Sequence, residues 1–254
     1  MKIKRLAAVA TIAFLFILGQ SGIAEAAEIR VLCSNGLKSV MEALAPQFER
    51  ATGNKVVVEY GLAAGFKQQI EAGKPFDLAV LTPPLIDDLI KQGKMAADSR
   101  VVIARTGLGL MIRAGAHKPD VSTTEVFKRS LLGAKSIAFA KEGASGVAFA
   151  SLIERLGIAD TLKTRLKPTS TGEEVNDLVV RGNAEFGVLP LSEILAVRGA
   201  ELGGMFPADV QSYITMTAAV SSGAKQGAAA RDLIKFLTSP AVLSTIKAKG
   251  MERN

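Results

Sequence analysis

The sequence predicts an α/β protein of two lobes, in which each lobe is a mixed sheet flanked by helices. Strand-like apolar runs alternate with amphipathic helical patterns in roughly five units, as parallel strand–helix–strand folds require. A late β-type run from Val210 to Val220 is followed by two short helical patterns, about residues 227–238 and 240–250. Because this long strand comes so late, we expect the lobes to be joined by two crossing strands.

No low-complexity linker marks a domain boundary, so the boundaries are predicted from the order of elements alone. We place the two crossings near residues 104–107 and 213–219. The predicted division is a leader at residues 1–26, lobe I at 27–105 plus 219–254, and lobe II at 106–218.

The N-terminal 26 residues have the composition of a secretory signal peptide. Three basic residues at positions 2, 4 and 5 precede an apolar stretch from Leu6 to Gly19, and Ala24-Glu25-Ala26 matches an A-x-A cleavage site. As a helix the apolar stretch would span roughly 21 Å, less than the about 30 Å of a bilayer core. We therefore predict an exported, soluble mature chain, with an uncleaved membrane anchor as the alternative.

Charge and cysteine content exclude several classes of protein. The formal net charge of +7 falls to +5 when the three basic residues and one acidic residue of positions 1–26 are removed. The basic residues are scattered without interleaved aromatics, so nucleic acid is not an expected partner. With one cysteine, Cys33, and one histidine, His117, the chain cannot form an intrachain disulfide, and we expect no metal and no cofactor. Cys33 ends a buried strand and is expected to be a core residue rather than a nucleophile.

The first unit, Glu28 to Tyr60, shows the pattern most clearly. Glu28 to Cys33 is largely apolar, as in a strand that is covered on both faces. Ser34, Asn35 and Gly36 then open a helix whose apolar residues recur every three or four positions. These residues are Leu37, Val40, Met41, Leu44 and Phe48. A parallel unit places the Ser34–Gly36 loop at the carboxyl end of its strand, where ligands bind and where a helix N-terminus favours anions.

The next elements follow in the same order. Gly61 to Gly65 is a small-residue loop that leads to a short helix, and Phe76 to Leu81 is a predicted strand. Thr82-Pro83-Pro84 starts another helix, because proline is tolerated in the first turn and threonine can cap it. Two separate strand-like runs come next, Val101 to Ala104 and Gly107 to Ile112.

Two later junctions repeat the first one. Lys135 to Ala140 is a predicted strand, and Gly143 to Gly146 opens the helix that follows it. Ser170 to Gly172 precedes a helix with two first-turn glutamates, which suit the helix dipole. We therefore expect this helix end to be satisfied by its own residues rather than by a ligand. A strand from Ala184 to Leu189 and a helix opened by Pro190 follow.

Three segments resemble the family of molybdate-binding periplasmic proteins. They are IEAGKPFDLAVL, RGNAEFGV and the closing FLTSPAVLSTIKAKGME, and the resemblance covers the whole chain after the leader. It implies the two-lobed periplasmic binding protein fold of type II and a role as the solute-binding component of an ABC importer. It also implies a small anionic ligand, an ABC permease in the inner membrane as partner and a periplasmic location, and we expect a monomer.

The resemblance also places the ligand site, and three hydroxyl donors of the family are absent from it. Gly36 stands where the family has a serine, Ala63 and Ala64 occupy the loop of a second serine, and Pro190 replaces a tyrosine. Each unpaired buried polar group costs about 1–3 kcal/mol, so these changes argue against molybdate or tungstate. An organic di- or tricarboxylate is one other anion that the same helix ends could bind.

The predicted ligand site is the cleft where these loops and helix N-termini meet. Its expected residues are Ser34, Asn35, Gly36, Ala63, Ala64, Thr82, Ala144, Ser145, Gly146, Thr171, Gly172 and Pro190. Asn35, Ser145 and Thr171 would be neutral side-chain donors, and Asn35 and Ser145 could equally be helix caps. Four basic residues could add charge, or could instead be solvated or serve the hinge: Lys67, Arg105, Arg113 and Lys141.

The resemblance extends to aconitate isomerase, which implies an alternative function. That reaction moves a proton along an allylic frame between trans- and cis-aconitate and needs a positioned acid or base. Glu142 or His117 could supply this group, although His117 lies in a loop-like segment and Glu142 could be only a first-turn acid. No nucleophile elbow, H-E-x-x-H or Walker-type motif indicates another enzyme class. We therefore predict a solute-binding protein, with the isomerase as the alternative.

Overall fold

The computed structural model describes residues 26–253. The predicted signal peptide lies outside the described residues, apart from its last position. Within residues 26–253, no helix is both long enough and apolar enough to cross a membrane.

The strands and helices alternate along most of the chain, as the sequence predicts. The strands are β1 (Glu28–Ser34), β2 (Lys55–Gly61), β3 (Leu78–Leu81), β4 (Val101–Arg113), β5 (Ile137–Ala140), β6 (Leu166–Thr169), β7 (Phe186–Pro190), β8 (Ala200–Met205) and β9 (Tyr213–Val220). The α-helices are α1 (Lys38–Thr52), α2 (Ala63–Glu71), α3 (Pro83–Lys91), α4 (Thr124–Gly133), α5 (Ala144–Arg155), α6 (Ala159–Leu162), α7 (Gly172–Val180), α8 (Leu191–Ile194), α9 (Gly227–Leu237) and α10 (Leu243–Ala248). Short 3₁₀ turns cover Asn35–Leu37, Ala97–Ser99, Ala208–Val210 and Pro240–Val242.

The strands form two mixed halves that share β4. Their order is β2-β1-β3-β9-β4-β7-β5-β6, and β8 also pairs with β4. In the first lobe β1 is parallel to β2 and β3, and β9 is antiparallel to β3 and β4. In the second lobe β5 is parallel to β6 and β7, and β4 is antiparallel to β7 and β8. The predicted α/β class, with a mixed sheet in each lobe, is confirmed.

The strand β4 connects the lobes. Its residues Val101–Gly107 pair with β9, and its residues 108–113 pair with β7 and β8. The prediction of two separate runs was therefore wrong, because they form one continuous strand. The chain comes back to the first lobe through β9, which is the second crossing strand. The residue boundaries proposed above for the two lobes stay a prediction.

Two polar residues in the middle of β4 interrupted its apolar pattern, and both are held by the C-terminal tail. The Arg105 guanidinium lies 4.3 Å from the ring centroid of Tyr213, and its Nε lies 2.8 Å from Oε1 of Glu252. Thr106 is 1% exposed, and its hydroxyl donates to the Gly250 carbonyl at 3.0 Å. The C-terminal tail thus packs along the crossing strand β4, and Arg105 contacts this tail.

The first unit, β1–α1–β2, forms as predicted. All five apolar residues of its helical stripe are buried, with exposures of 0–1%: Leu37, Val40, Met41, Leu44 and Phe48. The helix ends at Gly53, whose φ of +77° is the left-handed conformation that glycine adopts readily. This packing fixes the end of β1, and with it the loop that begins at Ser34.

Two strands were missed by the sequence analysis, for different reasons. The strand β6 (LKPT) lies at the edge of the sheet, carries a lysine and a proline, and is only half-buried. The strand β8 contains Gly203 and Gly204, and a Cβ at Gly204 would lie 2.5 Å from Cγ2 of Val121. Close packing therefore requires small residues there, and they weaken the strand pattern.

The contact between α5 and β5 depends on one glycine. A Cβ added at Gly146 would lie 1.8 Å from the carbonyl oxygen of Ala140, closer than any real contact allows. Gly146 was predicted as a ligand residue, but the space beside it is filled by the end of β5. Its observed role is to let the start of α5 approach the strand.

Gly146→Ala is expected to lower the free energy of unfolding by about 1–3 kcal/mol, because the new methyl group must displace backbone atoms of Ala140. The matched control is Gly133→Ala at the end of α4, where a Cβ meets no atom within 4 Å. The control is expected to be neutral or slightly stabilising, since alanine favours the helix. Urea denaturation of both variants measures the difference, and equal stability would contradict this account of the α5–β5 contact.

Candidate functional site

A cavity of about 350 Å³ lies between the two lobes, at the carboxyl ends of β1, β3, β5 and β7. In open α/β sheets this is the edge at which ligands bind. Ten of the twelve predicted ligand residues line it: Ser34, Asn35, Gly36, Ala63, Ala64, Thr82, Ala144, Ser145, Gly172 and Pro190. The remaining two, Gly146 and Thr171, do not. The ligand-binding role of each residue stays a prediction, but their convergence on one cavity is observed.

The Ser34–Gly36 loop forms the wall from the first lobe. Ser34 ends β1, and Asn35 and Gly36 belong to a 3₁₀ turn that leads into α1. A Cβ at Gly36 would lie 2.4 Å from Cε of Met216, so a serine at this position would require the end of the methionine side chain to shift. The methionine on β9 and the glycine on the loop therefore fit each other.

The N-termini of α2 and α5 open into the cavity from opposite lobes. Their cap residues, Leu62 and Gly143, make no side-chain hydrogen bond to the helix. By helix geometry, the first N–H groups, at Ala63, Ala64, Ala144 and Ser145, have no partner inside the helix. Ser145 is 5% exposed and lines the cavity at the same end. Two sets of backbone donors, one from each lobe, thus face the same space.

The N-terminus of α7 differs, because its own side chains satisfy it. Thr171 Oγ1 accepts a hydrogen bond from the Glu174 N–H at 3.2 Å, and Glu174 Oε2 accepts one from the Ser170 N–H at 3.0 Å. Thr171 thus caps the helix, and Glu174 binds the N–H of the residue that precedes the cap. The expectation that this helix end is satisfied internally is confirmed, and only Gly172 lines the cavity.

Thr82 was expected to cap α3, and it does not. The helix begins at Pro83, but the Thr82 side chain makes no capping hydrogen bond. Thr82 instead lines the cavity. The cap prediction was therefore wrong, and the residue gains a polar group for binding.

A small buried hydrogen-bond network, which we call the Ser192 junction, joins the two lobes behind the cavity. The Ser192 hydroxyl on α8 donates to the Gly36 carbonyl at 2.8 Å, and the Ser39 hydroxyl on α1 donates to the Ser192 carbonyl at 3.4 Å. The Ser192 N–H donates to Thr106 Oγ1 on β4 at 3.2 Å. Ser192 is 2% exposed. The junction therefore fixes α8 against the Ser34–Gly36 loop of the first lobe.

The cavity holds two carboxyl groups. Glu142, suggested as a proton-transfer group, is exposed and lines the cavity, whereas His117 lies on the exposed segment after β4, outside it. Glu193 on α8 was not considered in the sequence analysis, and it also lines the cavity. The sequence did contain a signal for this residue. Glu193 lies three residues after Pro190, at a strand-to-helix junction like those of the other predicted ligand loops. It was overlooked because glutamate is common in the first turn of helices.

The Glu193 carboxyl group has an unusual environment. Burial and the nearby charge of Glu173 together raise its pKa to about 7, against the opposing effect of Lys38. Among the described residues, no ion pair or side-chain hydrogen bond stabilises its charged form. A carboxyl group with a pKa near neutral pH can either donate or accept a proton there.

The four basic residues considered as ligand contacts lie elsewhere. Lys67 pairs with Glu71 at 2.5 Å and with Asp88 at 2.8 Å. Arg105 contacts the C-terminal tail, as described above, while Lys141 and Arg113 are exposed and do not line the cavity. Within residues 26–253, no lysine or arginine lines the cavity. Binding of an anion there must therefore rely on backbone and neutral donors.

Cys33 is a core residue, as expected. Its side chain is 0% exposed, and burial raises its pKa far above the usual range, so the thiol stays protonated. The described part of the chain contains no cluster of three or more histidine, cysteine or acidic residues arranged to bind a metal ion.

Comparison with known proteins identifies the family. A profile of bacterial extracellular solute-binding proteins matches residues 29–252. The chain belongs to this family. Aconitate isomerase from a Pseudomonas species is 30% identical over 232 residues, which cover 88% of this chain and 87% of the isomerase. The molybdate-binding protein ModA of Azotobacter vinelandii is 30% identical over 231 residues, which cover 89% of this chain and 90% of ModA.

Solved structures show the same fold. The periplasmic molybdate-binding protein of A. vinelandii superposes with a TM-score of 0.76 at 22% identity, covering 89% of this chain and 99% of that one. The sulfate-binding protein SubI of Mycobacterium tuberculosis H37Rv superposes with a TM-score of 0.73 at 17% identity, covering 89% and 86% of the two chains. The predicted two-lobed periplasmic binding protein fold is confirmed.

The raised pKa of Glu193 makes a prediction for stability. The folded state binds this proton more tightly than the unfolded state, where the pKa is about 4.5. The contribution of Glu193 to the free energy of unfolding is therefore greatest at acidic pH. It should fall by up to about 3 kcal/mol as pH rises from 4.5 to 7.

Urea denaturation across this range measures the effect as the difference between the wild type and Glu193→Gln. The control is Glu154→Gln, an exposed residue of α5. The pH dependence of Glu193→Gln should differ from that of the wild type, and that of the control should not. Parallel curves for all three proteins would contradict the assignment.

Proposed function

We propose that this protein is a periplasmic solute-binding protein that captures a small anion between its lobes and delivers it to an ABC permease. The observation that carries the proposal is the meeting of two N-termini, those of α2 and α5, at one interlobe cavity without side-chain caps. Uncapped N–H groups and the positive end of the helix dipole favour a negative ligand. Contributions from both lobes favour closure of the lobes around it.

The chemistry of the cavity limits the ligand. Hydroxyl groups of Ser34, Thr82 and Ser145, together with the Asn35 amide, supply neutral donors. A cavity of about 350 Å³ is at the small end of the range for ligand sites, large enough for an organic acid as well as a tetrahedral oxyanion. Gly36 offers no side-chain hydroxyl beside Met216, which favours an anion other than molybdate.

The location and partner follow from the family and the leader. The relatives include periplasmic binding proteins, and one solved structure of this fold is described as the substrate-binding domain of a putative molybdenum ABC transporter from Clostridium difficile. Together with the predicted signal peptide, this supports a periplasmic location and an ABC permease as partner. We propose that the protein acts as a monomer, since the ligand cavity is built from one chain.

Replacing Ala144 by proline tests the role of the α5 N-terminus. Ala144 is the first residue of α5, where proline fits the helix but removes the N–H group. If that N–H binds the ligand, Ala144→Pro should weaken binding by about tenfold or more, the loss expected for a hydrogen bond to a charged group. The ligand is first found by thermal shift against molybdate, tungstate, sulfate, phosphate, citrate and both aconitates, because ligands that bind the native state raise Tm.

The matched control is Thr124→Pro at the first residue of α4, a helix whose N-terminus does not face the cavity. It should bind the same anion as tightly as the wild type. If both variants bind the anion equally well, the N-terminus of α5 does not contact the ligand. If no anion in the panel shifts Tm, the proposed function is overturned.

A second candidate function, isomerase activity, is favoured by one observation. The cavity contains Glu193, whose pKa of about 7 suits a group that takes and returns a proton, and Glu142 lies in the same cavity. The relative from Pseudomonas sp. is named aconitate isomerase. The binding role is preferred because the chain belongs to a family of solute-binding proteins, whose model matches residues 29–252.

The two functions are separated by incubating a small amount of protein with excess trans-aconitate and following the vinyl proton by NMR. The binding role predicts no cis-aconitate beyond the uncatalysed rate. Multiple turnovers that are lost in Glu193→Gln and retained in Glu173→Gln would instead establish an isomerase.

A further inference from the structure

Glu193 faces two cavities at once. It lines the central cavity and also a smaller one of about 270 Å³ between α1, α7 and α8. Its Oε2 lies 2.8 Å from the point that a Cβ on Gly172 would occupy, so the carboxyl group lies directly over the start of α7. The absence of a side chain at Gly172 makes room for this carboxyl group, which any larger residue would displace.

The position of Glu193 is fixed by its neighbour. Ser192 is held on three sides by the Ser192 junction, through its hydroxyl, its N–H and its carbonyl. Because these partners belong to β4 and to the first lobe, α8 cannot move without breaking buried hydrogen bonds. The carboxyl group is thus presented to the cavity by a rigid support, as a specificity group needs to be.

The charged groups around Glu193 make its surroundings net acidic. Glu142 lines the central cavity with it, whereas Glu173 on α7 and Glu42 and Lys38 on α1 line the small cavity with it. Lys38 is the single basic residue among them, and its ammonium also lies 5.6 Å from the ring centroid of Tyr60. A ligand that offers only acceptor oxygens would place negative charge beside these carboxyl groups and is repelled.

We propose, on the basis of the anion-binding role inferred above, that Glu193 is a specificity-determining residue which accepts a hydrogen bond from the ligand. The cavity therefore selects an anion that carries its own donor, either the hydroxyl group of a hydroxycarboxylate or the proton of a partly protonated oxyanion. The anionic oxygens of the ligand bind the N-termini of α2 and α5, and its donor binds Glu193. Anions with acceptors only are rejected while Glu193 is ionised.

Two matched pairs of probes test this at pH 8 by isothermal titration calorimetry. Citrate and tricarballylate differ by one hydroxyl group, and hydrogenphosphate and sulfate differ by one proton. The wild type should prefer the donor-carrying member of at least one pair by about tenfold or more, since a site built to pair a donor rejects the analogue that lacks it. The pair that shows the preference identifies whether the donor is a hydroxyl or an acid proton.

Glu193→Gln should lose most of this preference, because the glutamine amide can donate to an acceptor oxygen and carries no charge. Glu173→Gln is the matched control, since it removes a charge from the small cavity without changing the wall of the central one. It should keep the preference. A preference that survives in Glu193→Gln, or is absent from both pairs in the wild type, overturns the inference.

A measurement on the wild type alone provides an independent check. The charge of sulfate is constant between pH 6 and pH 8, so its affinity should rise at pH 6 as Glu193 takes up a proton and becomes a donor. Constant affinity over this range contradicts the inference. If molybdate binds at pH 8 and neither donor-carrying probe does, the inference fails while anion binding stands; if no anion binds, both fail.

Discussion

The arrangement of the whole site depends on the buried hydrogen bonds of Ser192. Its hydroxyl, N–H and carbonyl contact Gly36, Thr106 and Ser39, so one residue of the second lobe is held by the first lobe and by the crossing strand. Unpaired, each of these buried groups would cost about 1–3 kcal/mol. Satisfied, they define where β1, β4 and α8 lie relative to one another. The interlobe cavity, the close fit of Met216 against Gly36 and the placement of Glu193 all follow from that arrangement.

The sequence predicted the fold and most of the cavity wall because both depend on local patterns. Helical periodicity identified α1, and small-residue loops after buried strands identified the walls at Ser34–Gly36 and at Ala144 and Ser145. The errors have a different cause, which is contact between distant residues. Gly146 is a glycine because of Ala140, Thr171 is used by Glu174, and β4 is continuous although Arg105 breaks its pattern. Glu193 was missed because only the tertiary structure places it at the cavity and close to the charge of Glu173.

The cavity combines features that point in opposite electrostatic directions. Two helix N-termini favour negative charge, while Glu142 and Glu193 oppose it and no described basic side chain compensates. In a cleft that is partly shielded from water, such opposition is larger than at an open surface. Under the role proposed for Glu193, the protonation state of the ligand decides whether this balance favours binding. The relatives named for a molybdate binder and for an isomerase show that this scaffold serves more than one ligand chemistry.

The inertness of Cys33 has a practical consequence. The described chain has one thiol, it is 0% exposed, and its pKa is raised by burial, so thiol-reactive reagents do not reach it in the folded protein. Val147, in contrast, is 59% exposed at the rim of the central cavity. A fluorophore coupled to a cysteine introduced at this rim position would be the only label on the molecule. Because its single cysteine does not react, the native sequence can carry one introduced label and serve as an optical sensor that reports when the cleft is occupied.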